Sequence, residues 1–187
     1  MAVQERRYTA DALWELSQGE DAKHYELDEG ELVEMSPTGD AHGVVANWIA
    51  FLITAYVDAH DLGEVTAAET GFILSTNPDV VRAPDVAFIA KARLTPITGK
   101  FYPFAPDQAV EVVSPGDTAH QIRRKTAQFL HAGTRLIWVV YPEQRLVDVY
   151  RPDHGIASYE NVGTLDGFDV LPGLNLDLKD VFKKLRS

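Results

Sequence analysis

Residues 109–141 read AVEVVSPGDTAHQIRRKTAQFLHAGTRLIWVVY, and this stretch decides the fold. The run 109–113 is apolar except for its middle residue, Glu111, and 136–141 (LIWVVY) is apolar and aromatic throughout. Short runs this hydrophobic and β-branched read as strands covered on both faces. Between them Thr118 and Gln121 match a capping box, the helical pattern continues to about residue 132, and Gly133 suits the position just past a helix end. Strand, helix and strand in that order imply a right-handed crossover and a parallel pair inside a mixed sheet.

Outward from this unit, 65–76, 84–90 and 145–150 are further short runs rich in Val, Ile and aromatic residues, and they read as strands. Residues 95–107 hold Pro96, Pro103 and Pro106 and read as an irregular excursion. Near the start, Thr9 caps a short helix over 10–17, and the turn Asp28-Glu29-Gly30 joins 24–27 and 31–35 into a hairpin. Residues 36–40 are loop, and 42–60 form a long apolar-rich helix. The tail from 162 adds one short strand pair and a helical turn near 178–185. The expectation is one α/β domain over 1–187, an α+β mixed sheet flanked by helices, with an N-terminal helix and β-hairpin.

The 187 residues are 45% hydrophobic and 24% charged, which is the composition of an ordered globular chain. With no cysteine, disulfide scaffolds, thiolate zinc sites, iron–sulfur clusters and cysteine nucleophiles are excluded. A net charge of −11 argues against coating nucleic acid through an overall basic surface. A local basic patch is still open, and Lys100, Arg123, Arg124, Lys125 and Arg135 would supply it. The longest apolar stretch, 44–57, holds Asn47 and Thr54 and is too short to span a bilayer. No signal sequence opens the chain, so a soluble, cytoplasmic protein with no membrane partner is expected.

Glu111 is the first candidate for chemistry. A lone ionised carboxylate in a buried strand costs several kcal/mol, so it is paired, protonated, at a cleft or holding a cation, unless the strand is half exposed. Asp85 begins a second apolar run, where Pro-Asp is also ordinary turn chemistry. Glu69 opens a third, with an exposed strand end as its plain alternative. Strand-borne acids of this kind suit a hard cation such as Mg²⁺, which takes oxygen ligands. On the 118–132 helix, Ile122 and Phe129 mark the buried stripe and Lys125 borders it, so its ammonium either reaches the Glu111 strand or snorkels to water. A lysine beside two metal-holding carboxylates is equipment for phosphodiester hydrolysis. His42 is either a locally bonded histidine or a phosphate contact or proton carrier.

The ordered pieces Tyr25-Glu26-Leu27, Gly30-Glu31-Leu32-Val33-Glu34-Met35-Ser36-Pro37, His42-Gly43, Glu69-Thr70-Gly71-Phe72, Arg82-Ala83-Pro84-Asp85-Val86-Ala87, Glu111-Val112-Val113-Ser114-Pro115 and 132–140 (AGTRLIWVV) add a second line. In that order, over about 8–182, the chain closely resembles the Uma-type family of restriction-endonuclease-like bacterial proteins, assigned to the PD-(D/E)XK nuclease superfamily. The resemblance implies a restriction-endonuclease-like core in which Asp85 and Glu111 bind Mg²⁺ (or Mn²⁺). It also implies that Lys125 replaces the superfamily lysine, whose usual slot two residues after the Glu holds Val113. Glu69 and His42 match family positions near that site.

Together these readings predict a metal-dependent endonuclease acting on DNA, with catalytic Asp85, Glu111 and Lys125, accessory Glu69 and His42, and metal on Asp85 and Glu111. A homodimer would suit an enzyme that cuts both strands. The rival keeps the fold and drops the chemistry: a catalytically inactive nuclease-fold module that binds nucleic acid or protein. A third reading is hydrolysis of a small phosphoester.

Overall fold

The computed structural model describes residues 7–19 and 23–186. In chain order its elements are α1 (Ala10–Leu16), β1 (Tyr25–Asp28), β2 (Glu31–Glu34), α2 (Asp40–His60), β3 (Gly63–Ala67), β4 (Phe72–Ser75), β5 (Val80–Arg82) and β6 (Val86–Ala90). There follow β7 (Gln108–Val112), α3 (Ala119–His131), β8 (Leu136–Tyr141), β9 (Leu146–Tyr150), β10 (Ala157–Glu160), β11 (Thr164–Asp166), β12 (Asn175–Asp177) and α4 (Leu178–Val181).

The central sheet has six strands in the order β10-β9-β8-β7-β6-β3. Its one parallel pair is β7–β8, in register from Gln108↔Leu136 to Val112↔Val140, with α3 as the crossover. The Thr118 and Gln121 capping box is present at the start of that helix. Successive side chains of a strand point to opposite faces. Val110, Val112, Trp138 and Val140 therefore meet the Val45, Ile49, Ile53 and Val57 stripe of α2 on one face. Ala109, Ile137 and Val139 meet Phe129 of α3 on the other. By length and composition alone α2 is long and apolar enough to cross a membrane, but that stripe forms part of the domain core.

A second, antiparallel sheet runs β2-β1-β5-β4. Phe72 of β4 seats it against Ala87 and Ile89 of the central sheet, and Leu74 packs with the Phe129 cluster of α3. Leu13 of α1 packs on Leu27 and Val81. The short pair β11–β12 and α4 bring Leu165, Leu178, Val181 and Phe182 to the α2 side of the core.

The stretch 65–76 is two strands, not one, and they lie in different sheets. Between them Glu69 has φ 71°, a left-handed turn residue, so it is not borne on a strand. At Gly71 a Cβ would lie 2.4 Å from the Phe101 ring, so the chain closes there only over glycine. The strands β5 and β10 are additional to the sequence reading. Val80–Arg82 is three residues long, and Ala157–Glu160 is mostly exposed, so neither carries a strong apolar pattern. Helix α2 also begins earlier, at Asp40, after Gly39.

Candidate active site

Strand parity sets the first carboxylate. Glu111 shares the face of Ala109, so it points toward α3 and away from the α2 core. Val86 pairs with Val110, which brings the residue before β6, Asp85, alongside the same end of β7. Asp85 Oδ2 accepts the Val112 N–H at 2.7 Å, and its Oδ1 is 3.3 Å from His42 Nε2 in the first turns of α2. The side chains of His42, Asp85 and Glu111 are mostly buried, 11, 16 and 16% exposed.

Lys125 arrives from α3. The buried Phe129 and Thr126 turn this helix so that the Lys125 stem runs inward. Its Nζ lies 3.7 Å from Glu111 Oε2, 3.1 Å from Glu26 Oε2 and 3.2 Å from Glu26 Oε1. Glu26, on β1 of the second sheet, is 1% exposed and escaped the sequence reading. It also accepts from Arg82 Nη1 at 2.9 Å and from the Ala83 N–H at 3.1 Å. Arg82 continues to Asp28 at 3.0 Å and to Gln128 Oε1, while Arg124 closes on Asp28 at 2.7 Å. The signal for Glu26 was present in the alternation Glu26, Asp28 opposite Leu27, but a polar hairpin face shows the same pattern until a helix docks on it.

These contacts set the charges. Burial, and then the negative charges of Asp85 and Glu26, push the Glu111 carboxyl up to about 8, against the pull of Lys125 and Arg82. Burial works against the Lys125 ammonium, but Glu111 and Glu26 overcome it and raise its pKa. Burial likewise opposes the His42 cation, and Asp85, Asp117 and the Val112 carbonyl outweigh it, so His42 is raised. The cluster thus holds a charged Lys125 beside a Glu111 whose ionised form burial disfavours.

Asp85, Glu111, Lys125 and His42 line one cleft of about 440 Å³, walled by 35–39 and 114–117. Glu111 Oε1 and Ser114 Oγ lie in its wall, buried and without a hydrogen-bond partner. Buried polar atoms without partners are uncommon in native folds. Among the described residues no group of three or more His, Asp or Glu side chains is placed to hold a metal. A free carboxylate oxygen beside a second carboxylate nevertheless fits a hard cation that takes its other oxygens from water, backbone or substrate.

Glu69 is not part of this cleft: its exposed carboxylate lies 3.6 Å from His24 Nδ1. The expected basic patch is scattered as well. Arg124 and Lys125 are held by carboxylates, and Arg135 by Asp107 and Asp169. Arg123 lies near Tyr150, and Lys100 lines a groove beside α1.

The family profile "Uma2: Putative restriction endonuclease" matches residues 12–179. The chain belongs to the Uma2 family. A solved structure described as "a putative nuclease belonging to DUF820", from Anabaena variabilis, superposes with a TM-score of 0.80. It is 20% identical, and the match covers 95% of this chain and 98% of that one, so the two share a fold. No curated protein matches the chain. In this Uma2 chain Val113 packs with the α3 core, and the ammonium facing Glu111 comes instead from Lys125.

Proposed function

We propose that this Uma2-family protein is a metal-dependent nuclease that hydrolyses DNA phosphodiester bonds, with Asp85 and Glu111 holding Mg²⁺ or Mn²⁺. The observation that carries the reading is the meeting of Asp85, Glu111 and Lys125 in one cleft, with Glu111 Oε1 unpartnered. A divalent ion held there supplies Lewis-acid polarisation of the phosphate and a more acidic bound water.

The chain's own groups do the rest. Asp85 is oriented by the Val112 N–H, so its carboxylate is fixed before any ligand enters. Lys125 has three N–H donors, and Glu26 holds the ammonium from behind while it faces Glu111. That leaves a fixed positive donor at the cleft to place a water or to offset charge developing on the phosphate. His42, 3.3 Å from Asp85, is the proton carrier in this reading.

The test is cleavage of supercoiled plasmid with Mg²⁺ or Mn²⁺. Wild type should cut, and Asp85→Ala and Glu111→Ala should not, while both remain folded by circular dichroism. Cutting at the wild-type rate by both variants ends the proposal, and DNA binding without any cutting returns the module reading.

A further inference from the structure

The cleft is poor in free positive charge. Arg82, Arg124 and Lys125 are each committed to carboxylates, and Asp28, Glu34, Asp85, Glu111 and Asp117 also line it. A polyanion therefore needs cations elsewhere on a chain of net charge −11. Three of them stand together. Lys183, Lys184 and Arg186 close over the outer side of α2 and, with Trp48 and Val44, line a groove of about 790 Å³.

This groove is built. The Trp48 Nε1–H donates to the Asp180 carbonyl at 2.8 Å, and the ring stacks on Phe51 at 5.0 Å. The ammoniums of Lys183 and Lys184 stand 4.4 and 4.6 Å from the Trp48 ring centre. Two like charges beside one ring repel each other, and among the described residues the one carboxylate paired with them, Asp180, is 3.8 Å from Lys183. Among the described residues Asp40 is the one acidic residue lining the groove. Gly39 lines the cleft while Asp40 and Ala41 line the groove, so the two adjoin at the start of α2. From Asp40 to Trp48 the helix rises about 12 Å, the length of roughly three to four nucleotides.

We propose that the groove lined by Trp48, Lys183, Lys184 and Arg186 binds the phosphate backbone of a DNA strand passing the mouth of the cleft. This assignment rests on the nuclease reading for its substrate. Continuity with the cleft favours DNA over an anionic membrane or a second copy of the chain.

The experiment is fluorescence anisotropy of a labelled duplex of about 20 base pairs, without divalent ions, over a range of salt. Lys183→Gln/Lys184→Gln should weaken binding about tenfold near 0.1 M salt and make the logarithmic salt dependence shallower by about two. Arg186→Gln should move both in the same direction. The exposed pair Lys100→Gln/Arg145→Gln removes the same charge outside the groove and should change affinity much less. An equal loss in that control, or no duplex binding by wild type, overturns the groove. So does lysine-dependent binding to phosphatidylserine vesicles without duplex binding, or a wild-type dimer that the lysine variants lose. Groove-dependent binding by a protein that never cuts DNA leaves the groove standing and removes the nuclease reading.

Discussion

The ammonium of Lys125 lies 3.1 Å from Glu26 and 3.7 Å from Glu111, so one cation on α3 joins carboxylates from two sheets. Removing it leaves two buried acids facing each other. Breaking a buried pair from one side costs about 3–5 kcal/mol. Lys125→Met should therefore destabilise by that order in urea unfolding. Adding Glu26→Gln should recover part of the loss, because one of the two facing acids disappears. Cleavage should fall about 100-fold or more in Lys125→Met and not return in the double variant. Recovered cleavage would mean that Lys125 serves the fold alone.

Glu111 should trade stability for ligand binding. Its carboxyl titrates near 8 in the folded chain against an ordinary 4.5, so between those values the folded state keeps a proton that the unfolded state has lost. Its contribution is fully present below the lower value and is lost as pH rises through the upper one. In EDTA, wild type should lose melting temperature from pH 5 to pH 8, and Glu111→Gln should lose less. A divalent ion must displace that proton, so calorimetry at pH 7 in buffers of different ionisation heat should show proton release in wild type and none in the variant.

The parts legible in sequence were those with a local physical signature. Glu111 stands alone in an apolar run, and the spacing of Ile122 and Phe129 turns Lys125 inward, so both could be read from periodicity. Glu26 could not, because Tyr25-Glu26-Leu27-Asp28 alternates as a hairpin with one wet face does. Only the docking of α3 dries that face. Glu69 misled for a related reason: its neighbours alternate like a strand, and nothing local marks the left-handed turn that sends β3 and β4 into separate sheets. The basic residues misled because a linear count cannot show which cations find carboxylates. Arg135 finds Asp107 and Asp169, whereas Lys184 and Arg186 have no ion-pair partner among the described residues.

Asp28 should mark acid unfolding. Burial raises its pKa, but hydrogen bonds from Arg124 and Gln128 and the charges of Arg82 and Arg124 prevail and hold it at about 2, below the ordinary 3.8. The stabilisation is present above the ordinary value and is lost as pH falls through about 2. With solvent screening at this partly exposed site the shift corresponds to about 1 kcal/mol. Urea unfolding of wild type should weaken by that order between pH 5 and pH 2, and Asp28→Asn should show a flatter acid limb. An identical limb in both would place the acid sensitivity elsewhere.

At Asp85 the two oxygens have separable jobs. Oδ2 accepts the Val112 N–H at 2.7 Å, and Oδ1 lies against His42 Nε2 at 3.3 Å. Asp85→Asn keeps one amide oxygen for the Val112 N–H and loses the negative charge. Asp85→Ala loses both and leaves that N–H without its acceptor, at about 1–3 kcal/mol. Thermal unfolding should therefore separate the variants, with Ala clearly destabilised and Asn close to wild type. Cleavage should not separate them, because neither carries the charge that would hold the cation. If Asn cuts at the wild-type rate, the Asp85 carboxylate is a strand clasp and the metal reading loses one of its two ligands. If Ala is as stable as Asn, the Val112 contact holds nothing and the fixed orientation claimed for this carboxylate fails.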